Sequence, residues 1–274
     1  MYSNPSNPAQ RAPITVPALQ QRKAGGGKIA VLTCYDASFA AHFDAAGIDA
    51  VLVGDSLGMV IQGRTSTLPV TLDHMVYHTA AVARGLQAPL LISDLPFMSY
   101  RDVSTALQSA ARVIGEGEAA MVKLEGAGWV LDIISALAER DVPVCAHLGL
   151  TPQSVHKLGG YRVQGKQSED AERLLADAHA VAKAGAELLV LECVPADLAT
   201  RITAEIKIPT IGIGAGAGCD GQVLVLYDML GITPGRRPRF SKDFLHGHDS
   251  IDAALIAYVE AVRNSTFPGP EHSY

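Results

Sequence analysis

Eight short apolar runs alternating with segments of helical periodicity predict a (β/α)8 TIM barrel for this chain. Three observations carry that expectation. The runs are rich in Val, Ile and Leu and are bounded by Gly, Pro or Asp, the pattern of parallel strands buried on both faces. Between most of them lie stretches long enough for a crossover helix. The chain has 274 residues, 48% hydrophobic, 18% charged and 5% aromatic. Such a length suits a barrel folded as one unit, and such a composition supplies a full core.

Taken in order, residues 1–27 form an N-terminal tail in which Ile14–Lys23 reads as a short helix covering the barrel's N-terminal end, closed by Gly25-Gly26-Gly27. Strands are expected at Lys28–Tyr35, Ala50–Asp55, Pro89–Asp94, Ala119–Glu125, Pro143–Leu148, Glu187–Cys193, Pro209–Gly214 and Gln222–Leu226. Helices are expected at Ser38–Ala46, Asp73–Gly85, Ser99–Gly115, Trp129–Arg140, Ser168–Ala184 and Pro195–Ile206. The last two strands are too close for a full helix between them, so the seventh crossover is a single turn or the eighth strand lies elsewhere. The eighth helix, Ile251–Val262, comes late, after the polar segment Thr233–Lys242, which leaves room for it to be exchanged onto a neighbouring copy. Residues 28–264 read as one barrel domain and 265–274 as a C-terminal tail.

Twenty-two basic and 28 acidic residues give a net charge of −6 without a block of five like charges, the opposite of a nucleic-acid binder's balance. No apolar h-region opens the chain and no run approaches membrane-spanning length, so no membrane association is expected. Cys34, Cys145, Cys193 and Cys219 lie far apart, three of them inside apolar runs and none in C-x-x-C spacing. They read as buried, reduced residues of a cytoplasmic protein rather than as disulfide or zinc partners.

Catalytic groups of a barrel come from the C-terminal ends of its strands, and here six apolar runs end in polar or glycine residues. Asp55-Ser56, Asp94, Lys123 with Glu125, His147, Glu192 and Gly214-Ala215-Gly216 close them. Asp55, Asp94 and Glu125 would project from three consecutive strands into one mouth, where converging carboxylates repel unless a cation joins them. Oxygen ligands with positions left for water and substrate suit Mg²⁺ better than a caged Ca²⁺. The alternative for each aspartate is a helix cap. Lys123 inside a lumen must pair with these carboxylates or reach an anionic ligand. His147 is a packing residue if alone and a functional one in this company. Glu192, across the mouth, is a capping or ion-paired glutamate, or a carboxylate that desolvation pushes upward toward general-base duty. The run Gly212–Gly218 has the spacing of a dinucleotide fingerprint but leads into a strand, so it reads instead as a tight turn that admits a bulky ligand. Gly159-Gly160-Tyr161 and Gly165 mark a lid after the fifth strand.

These segments resemble the ketopantoate hydroxymethyltransferase family over nearly the whole chain after the tail. The resemblance rests on Leu32-Thr33-Cys34-Tyr35-Asp36, Val53-Gly54-Asp55-Ser56-Leu57-Gly58-Met59, Thr67-Leu68-Pro69-Val70-Thr71, Val122-Lys123-Leu124-Glu125-Gly126, His147-Leu148-Gly149-Leu150-Thr151-Pro152-Gln153-Ser154, Leu191-Glu192-Cys193-Val194-Pro195 and Ile211-Gly212-Ile213-Gly214-Ala215-Gly216. It implies a barrel of the phosphoenolpyruvate/pyruvate type that moves a one-carbon unit from methylene-tetrahydrofolate to 3-methyl-2-oxobutanoate with Mg²⁺, in pantothenate biosynthesis. It further implies a metal site at Asp55, Asp94 and Glu125, contacts to the oxo acid from Asp55, Ser56, Asp94 and Lys123, a base at Glu192, a polar partner at His147, and a homodecamer. One departure is Arg64-Thr65, where the resemblance leads one to expect an aromatic residue or His followed by an acid. Two other readings compete: a C–C lyase or mutase of the same superfamily, whose Lys-Lys-Cys-Gly-His loop is missing here, and a silent barrel serving as a binding protein, which would not keep so complete a polar set.

Overall fold

The computed structural model describes residues 11–235 and 237–274, so residues 1–10 of the expected tail lie outside the described residues. Eight parallel strands close into a barrel in chain order. They are β1 (Ile29–Thr33), β2 (Ala50–Val53), β3 (Leu90–Asp94), β4 (Met121–Glu125), β5 (Val144–Gly149), β6 (Leu188–Glu192), β7 (Thr210–Ile213) and β8 (Gly221–Leu224). Each falls inside or within a residue of its expected run. Before them α1 (Val16–Ala24) lays Val16 and Leu19 against the barrel floor, as expected of the N-terminal helix.

Several helices begin where a side chain satisfies the free N–H groups of a first turn, as Thr15 does for α1. Asp36 accepts from Ser38 and Phe39 to open α2 (Ala37–Ala46), and the short α3 (Leu57–Val60) follows β2. Thr71 opens α4 (Leu72–Ala83) in a capping box with His74, and Asp102 opens α5 (Val103–Gly115). That aspartate moves the start of α5 beyond the expected Ser99. Next come α6 (Val130–Ala138), α7 (Val155–Leu158), α8 (Ser168–Ala184), α9 (Ala196–Glu205) and α10 (Leu226–Met229). Ser250 then caps α11 (Ile251–Arg263). Between β7 and β8 the seventh crossover is the turn 214–220, which contains no helix.

Strand parity places the site. Ile29, Val31, Ala50, Leu52, Leu90, Ile92, Met121, Cys145, Leu188, Val190, Ile211 and Val223 share one cluster that fills the lumen. Their neighbours Leu32, Val51 and Leu91, and on the other side Val122, Ala146 and Leu189, face the helices instead. Because side chains alternate along a strand, counting by twos from the lumen residues puts Asp94, Lys123, Glu125, His147 and Glu192 on the inner face at its C-terminal end. Register then makes neighbours of them, since Asp94 pairs with Lys123 and Glu125 with His147. Asp55 lies beyond the end of β2 and arrives by the turn that follows Val53.

In the single chain the last helix, which the sequence left room to exchange onto a neighbouring copy, packs on its own barrel. Helix α11 covers its own barrel, where the buried Tyr258 hydroxyl reaches the carbonyls of Val31 at 2.8 Å and Gln222 at 2.9 Å. Ala254, Leu255, Val259 and Val262 pack with the outward residues of β1 and with α2. Segment 230–250 is long enough to bring the helix back to the β1–β8 seam, and the seam's apolar outer face supplies the reason to return.

Candidate active site

Two polar groups meet at the C-terminal mouth. In the first, Lys123 Nζ lies 2.8 Å from Asp94 Oδ1, while Asp94 Oδ2 accepts the backbone N–H of Asp55 at 2.9 Å. Asp94 therefore spans two strand ends rather than capping a helix, and the helix caps are held by Asp36, Thr71, Asp102 and Ser250. In the second, His147 Nδ1 lies 3.5 Å from Glu125 Oε1 and Nε2 lies 3.3 Å from Glu192 Oε2. The latter approach is out of line for a hydrogen bond and leaves Nε2 without an aligned partner. The groups join where Lys123 Nζ comes within 3.3 Å of His147 Nδ1. Ser56 Oγ is fixed by the Tyr35 hydroxyl at 2.8 Å. All the sequence-expected site residues are thus gathered in one mouth, and Asp55, Asp94, Lys123, Glu125 and His147 are each at most 6% exposed.

Burial sets the electrostatics. Desolvation, then repulsion from Asp94 and Glu125, holds the Asp55 carboxyl well above the usual carboxylate range. For Lys123 burial works against the charge, but the three carboxylates outweigh it and raise the ammonium's pKa. Burial and Lys123 also oppose a charged His147, yet Glu125 and Glu192 push it up to about 9. Four acids, Asp55, Asp94, Glu125 and Glu192, face two cationic groups, Lys123 and His147, so ionising all four leaves negative charge uncompensated, and the raised pKa of Asp55 expresses that excess. An additional hard cation fits that demand and the all-oxygen donor set. Among the described residues no three His, Cys, Asp or Glu side chains form a metal-holding group. The fit is therefore to an open centre built on one or two carboxylates, as Mg²⁺ prefers, and not to a closed cage.

Gly149 allows β5 to approach β6 beside Glu192 at the mouth: it has φ +92°, and a Cβ there would stand within van der Waals overlap of the Glu192 carbonyl. The glycine run behaves otherwise than expected. At Gly214, φ +62°, the space a side chain would take is occupied by Phe240 and Tyr274, so the chain itself fills the room expected to admit a ligand. Tyr161, in the glycine-rich segment after β5, is exposed and directs its hydroxyl toward Met59 Sδ at 3.7 Å. Arg64 and Thr65 sit exposed at a loop tip. All four cysteines are free and buried, and desolvation pushes Cys145 up to about 12 and Cys219 to about 11, which suits inert packing. A groove of about 540 Å³ between α1 and the starts of β3 and β4 is at the opposite end and contains none of the site groups.

Sequence reasoning assigned no role to Tyr100 or Gln153. Gln153 donates to Asp55 Oδ2 at 2.8 Å, and the Tyr100 hydroxyl donates to Gln153 Oε1 at 2.6 Å. Tyr100 lies in a loop and Gln153 in the single 3-10 turn Pro152–Ser154, both beyond the reach of periodicity. The available signal was a glutamine between the strand-end His147 and α7.

The ketopantoate hydroxymethyltransferase profile matches residues 13–270. The chain belongs to the ketopantoate hydroxymethyltransferase family. It is accordingly an enzyme. A family member of Alkalilimnicola ehrlichii named 3-methyl-2-oxobutanoate hydroxymethyltransferase is 57% identical over 267 residues, covering 97% of this chain and 96% of that one. A Burkholderia ambifaria protein named 3-methyl-2-oxobutanoate hydroxymethyltransferase 1 is 58% identical over 266 residues, 97% of this chain and 98% of its own. The ketopantoate hydroxymethyltransferase barrel is shared more widely. Phosphoenolpyruvate phosphomutase from Streptomyces platensis subsp. rosaceus superimposes with TM-score 0.60 at 14% identity, over 79% of this chain and 82% of that one. A 2,3-dimethylmalate lyase of the PEP mutase/isocitrate lyase superfamily gives 0.58 at 15% identity, over 78% and 79%. At such identities the likeness is one of fold alone, the closed (β/α)8 barrel.

Proposed function

We propose that the enzyme transfers a hydroxymethyl group from methylene-tetrahydrofolate to 3-methyl-2-oxobutanoate, giving ketopantoate. Near-full-length identity to relatives of that name supports the oxo acid and the product. The observation that carries the mechanism is the division of the mouth into a carboxylate pair with its ammonium, Asp55, Asp94 and Lys123, and a facing glutamate, Glu192.

Asp55 and Asp94 would hold Mg²⁺, with Glu125 beside them, itself next to Gln153 and His147. When bound, the ion would polarise the 2-oxo and carboxylate oxygens of the oxo acid and steady the charge of its enolate, a contribution worth several kcal/mol. Ser56, with its hydroxyl fixed by Tyr35, and Lys123, with its ammonium fixed by Asp94, bind and orient the substrate oxygens. Glu192 takes the C3 proton. It stands at the end of β6, and its oxygen faces His147 Nε2. The enolate carbon then attacks the methylene carbon of the folate as one of its two C–N bonds breaks. Water adds to that carbon as the second C–N bond breaks, supplying the hydroxyl of ketopantoate. The two folate nitrogens take up the proton removed from C3 and one from the water. Lys123 and His147 oppose the negative charge while it develops. Below the site the lumen is filled by apolar side chains, among them Val31, Leu52, Ile92, Cys145 and Val190.

Cytoplasmic residence is supported by four free, buried cysteines. The oligomer is proposed to be a homodecamer, by likeness to the family, and light scattering tests it. The reaction is tested by incubating the enzyme with 3-methyl-2-oxobutanoate, methylene-tetrahydrofolate and Mg²⁺. Ketopantoate must accumulate, and must not when the folate is left out.

A further inference from the structure

We propose that Gln153 is a positioning residue that fixes how Asp55 and Glu125 present their carboxylates to the cation, and so determines which divalent ion the site prefers. The inference rests on the metal reading above and concerns a residue that does not itself bind metal.

Gln153 joins both carboxylates to the loop after β3. Its Nε2 donates to Asp55 Oδ2 at 2.8 Å and to the Leu95 carbonyl at 3.0 Å. Its Oε1 accepts from the Tyr100 hydroxyl at 2.6 Å, and its backbone N–H donates to Glu125 Oε2 at 3.0 Å. The ring closes because the Tyr100 oxygen in turn accepts the Glu125 backbone N–H at 3.4 Å. The amide has only one workable orientation, since a carbonyl and a carboxylate can only accept and must both face the NH2 group. Tyr100 is 5% exposed and stacks on Trp129 at 6.0 Å, and Gln153 is 7% exposed, so neither can swing away without leaving buried polar groups unpaired.

With one oxygen of Asp55 engaged by the amide, the other is left to the ion, and the carboxylate is held to monodentate ligation. The backbone bond engages one oxygen of Glu125 in the same way and fixes how that carboxylate faces the site. A near-ideal octahedron of monodentate oxygens is what Mg²⁺ demands, whereas Ca²⁺ accepts bidentate and irregular ligation. Freeing Asp55 therefore costs Mg²⁺ more than Ca²⁺.

The test is Mn²⁺ binding followed by EPR, with Mg²⁺ and Ca²⁺ as competitors, on wild type, Gln153→Met, Tyr100→Phe and Asp55→Ala. Methionine keeps the length but cannot donate. Gln153→Met is expected to weaken Mn²⁺ and Mg²⁺ by about 10- to 100-fold, to lower the preference for Mg²⁺ over Ca²⁺ by about threefold or more, and to broaden the bound Mn²⁺ spectrum. Tyr100→Phe moves each quantity the same way by less, and carries the test alone if the methionine variant does not fold. Wild-type affinity and line shape in both variants, or equal losses for Mg²⁺ and Ca²⁺, overturn the assignment while Asp55→Ala still abolishes binding. Unchanged binding in Asp55→Ala overturns the metal reading and this proposal with it.

Discussion

Replacing Lys123 by Met tests how the mouth balances its charges. The ammonium is 4% exposed, 2.8 Å from Asp94, and opposed by Asp55 and Glu125. Methionine nearly conserves the aliphatic stem, so the loss is the cation itself, which leaves buried carboxylates uncompensated. Breaking a buried pair in this way costs about 3–5 kcal/mol. Asp55, already held above the usual carboxylate range, can take up a proton and offset part of that cost. The penalty is therefore smallest at low pH and grows as pH rises. For a chain of this length about 2–4 °C of melting temperature follows each kcal/mol, so a fall of roughly 6–20 °C is expected in EDTA at pH 8. Mg²⁺ replaces part of the missing charge, so saturating Mg²⁺ narrows the gap to wild type. Scanning fluorimetry of both proteins, with EDTA and with Mg²⁺ at pH 6 and 8, reads all three effects. A melting point within about 2 °C of wild type in EDTA at pH 8, or a gap that Mg²⁺ leaves unchanged, would refute the reasoning.

Three further outcomes are expected. Gly149→Ala forces a Cβ against the Glu192 carbonyl from a backbone at φ +92°; it should cost about 1–3 kcal/mol in urea unfolding and lower kcat more than it raises KM. Tyr258→Phe leaves the Val31 and Gln222 carbonyls at the β1–β8 seam without the hydroxyl; a loss of about 1–3 kcal/mol with unchanged kcat is expected, and no loss would mean that the hydroxyl does not help hold α11 to its own barrel. Asp228 is buried, and desolvation raises its pKa although Thr233 donates to it. With its folded pKa above the unfolded one, its contribution falls as pH rises from 3.8 through the folded value. Asp228→Asn should therefore be the more stable protein at pH 7, with that advantage shrinking toward pH 4 in chemical denaturation.

The strands were legible because a parallel strand covered on both faces must be apolar throughout, and a polar residue such as Asp94 or Glu192 closing the run stands out against it. Parity did the rest: once Ile92 and Met121 face the lumen, Asp94, Lys123 and Glu125 must follow. Helix starts were off by up to four residues where a cap outranked periodicity, as Asp102 does for α5. The placement of α11 was not legible, because a long polar connection says nothing about where it returns. Tyr100 and Gln153 were hidden for a related reason: they sit in a loop and a single 3-10 turn, where neither period applies, and the hydrogen bond between them across 53 positions reveals them. The glycines near Gly214 signalled close approach correctly, but the sequence did not reveal that Phe240 and Tyr274 fill the space.

The central claim is that Glu192 removes the C3 proton of the oxo acid in a site organised by Asp55. It is tested most directly by NMR-followed exchange of that proton in D₂O with Mg²⁺, for wild type, Glu192→Gln and Asp55→Ala, with and without tetrahydrofolate. Wild type is expected to exchange only when Mg²⁺ is present, and both variants to exchange at least about 100-fold more slowly. An absence of exchange in wild type, or wild-type exchange in Glu192→Gln, would contradict the assignment of the base.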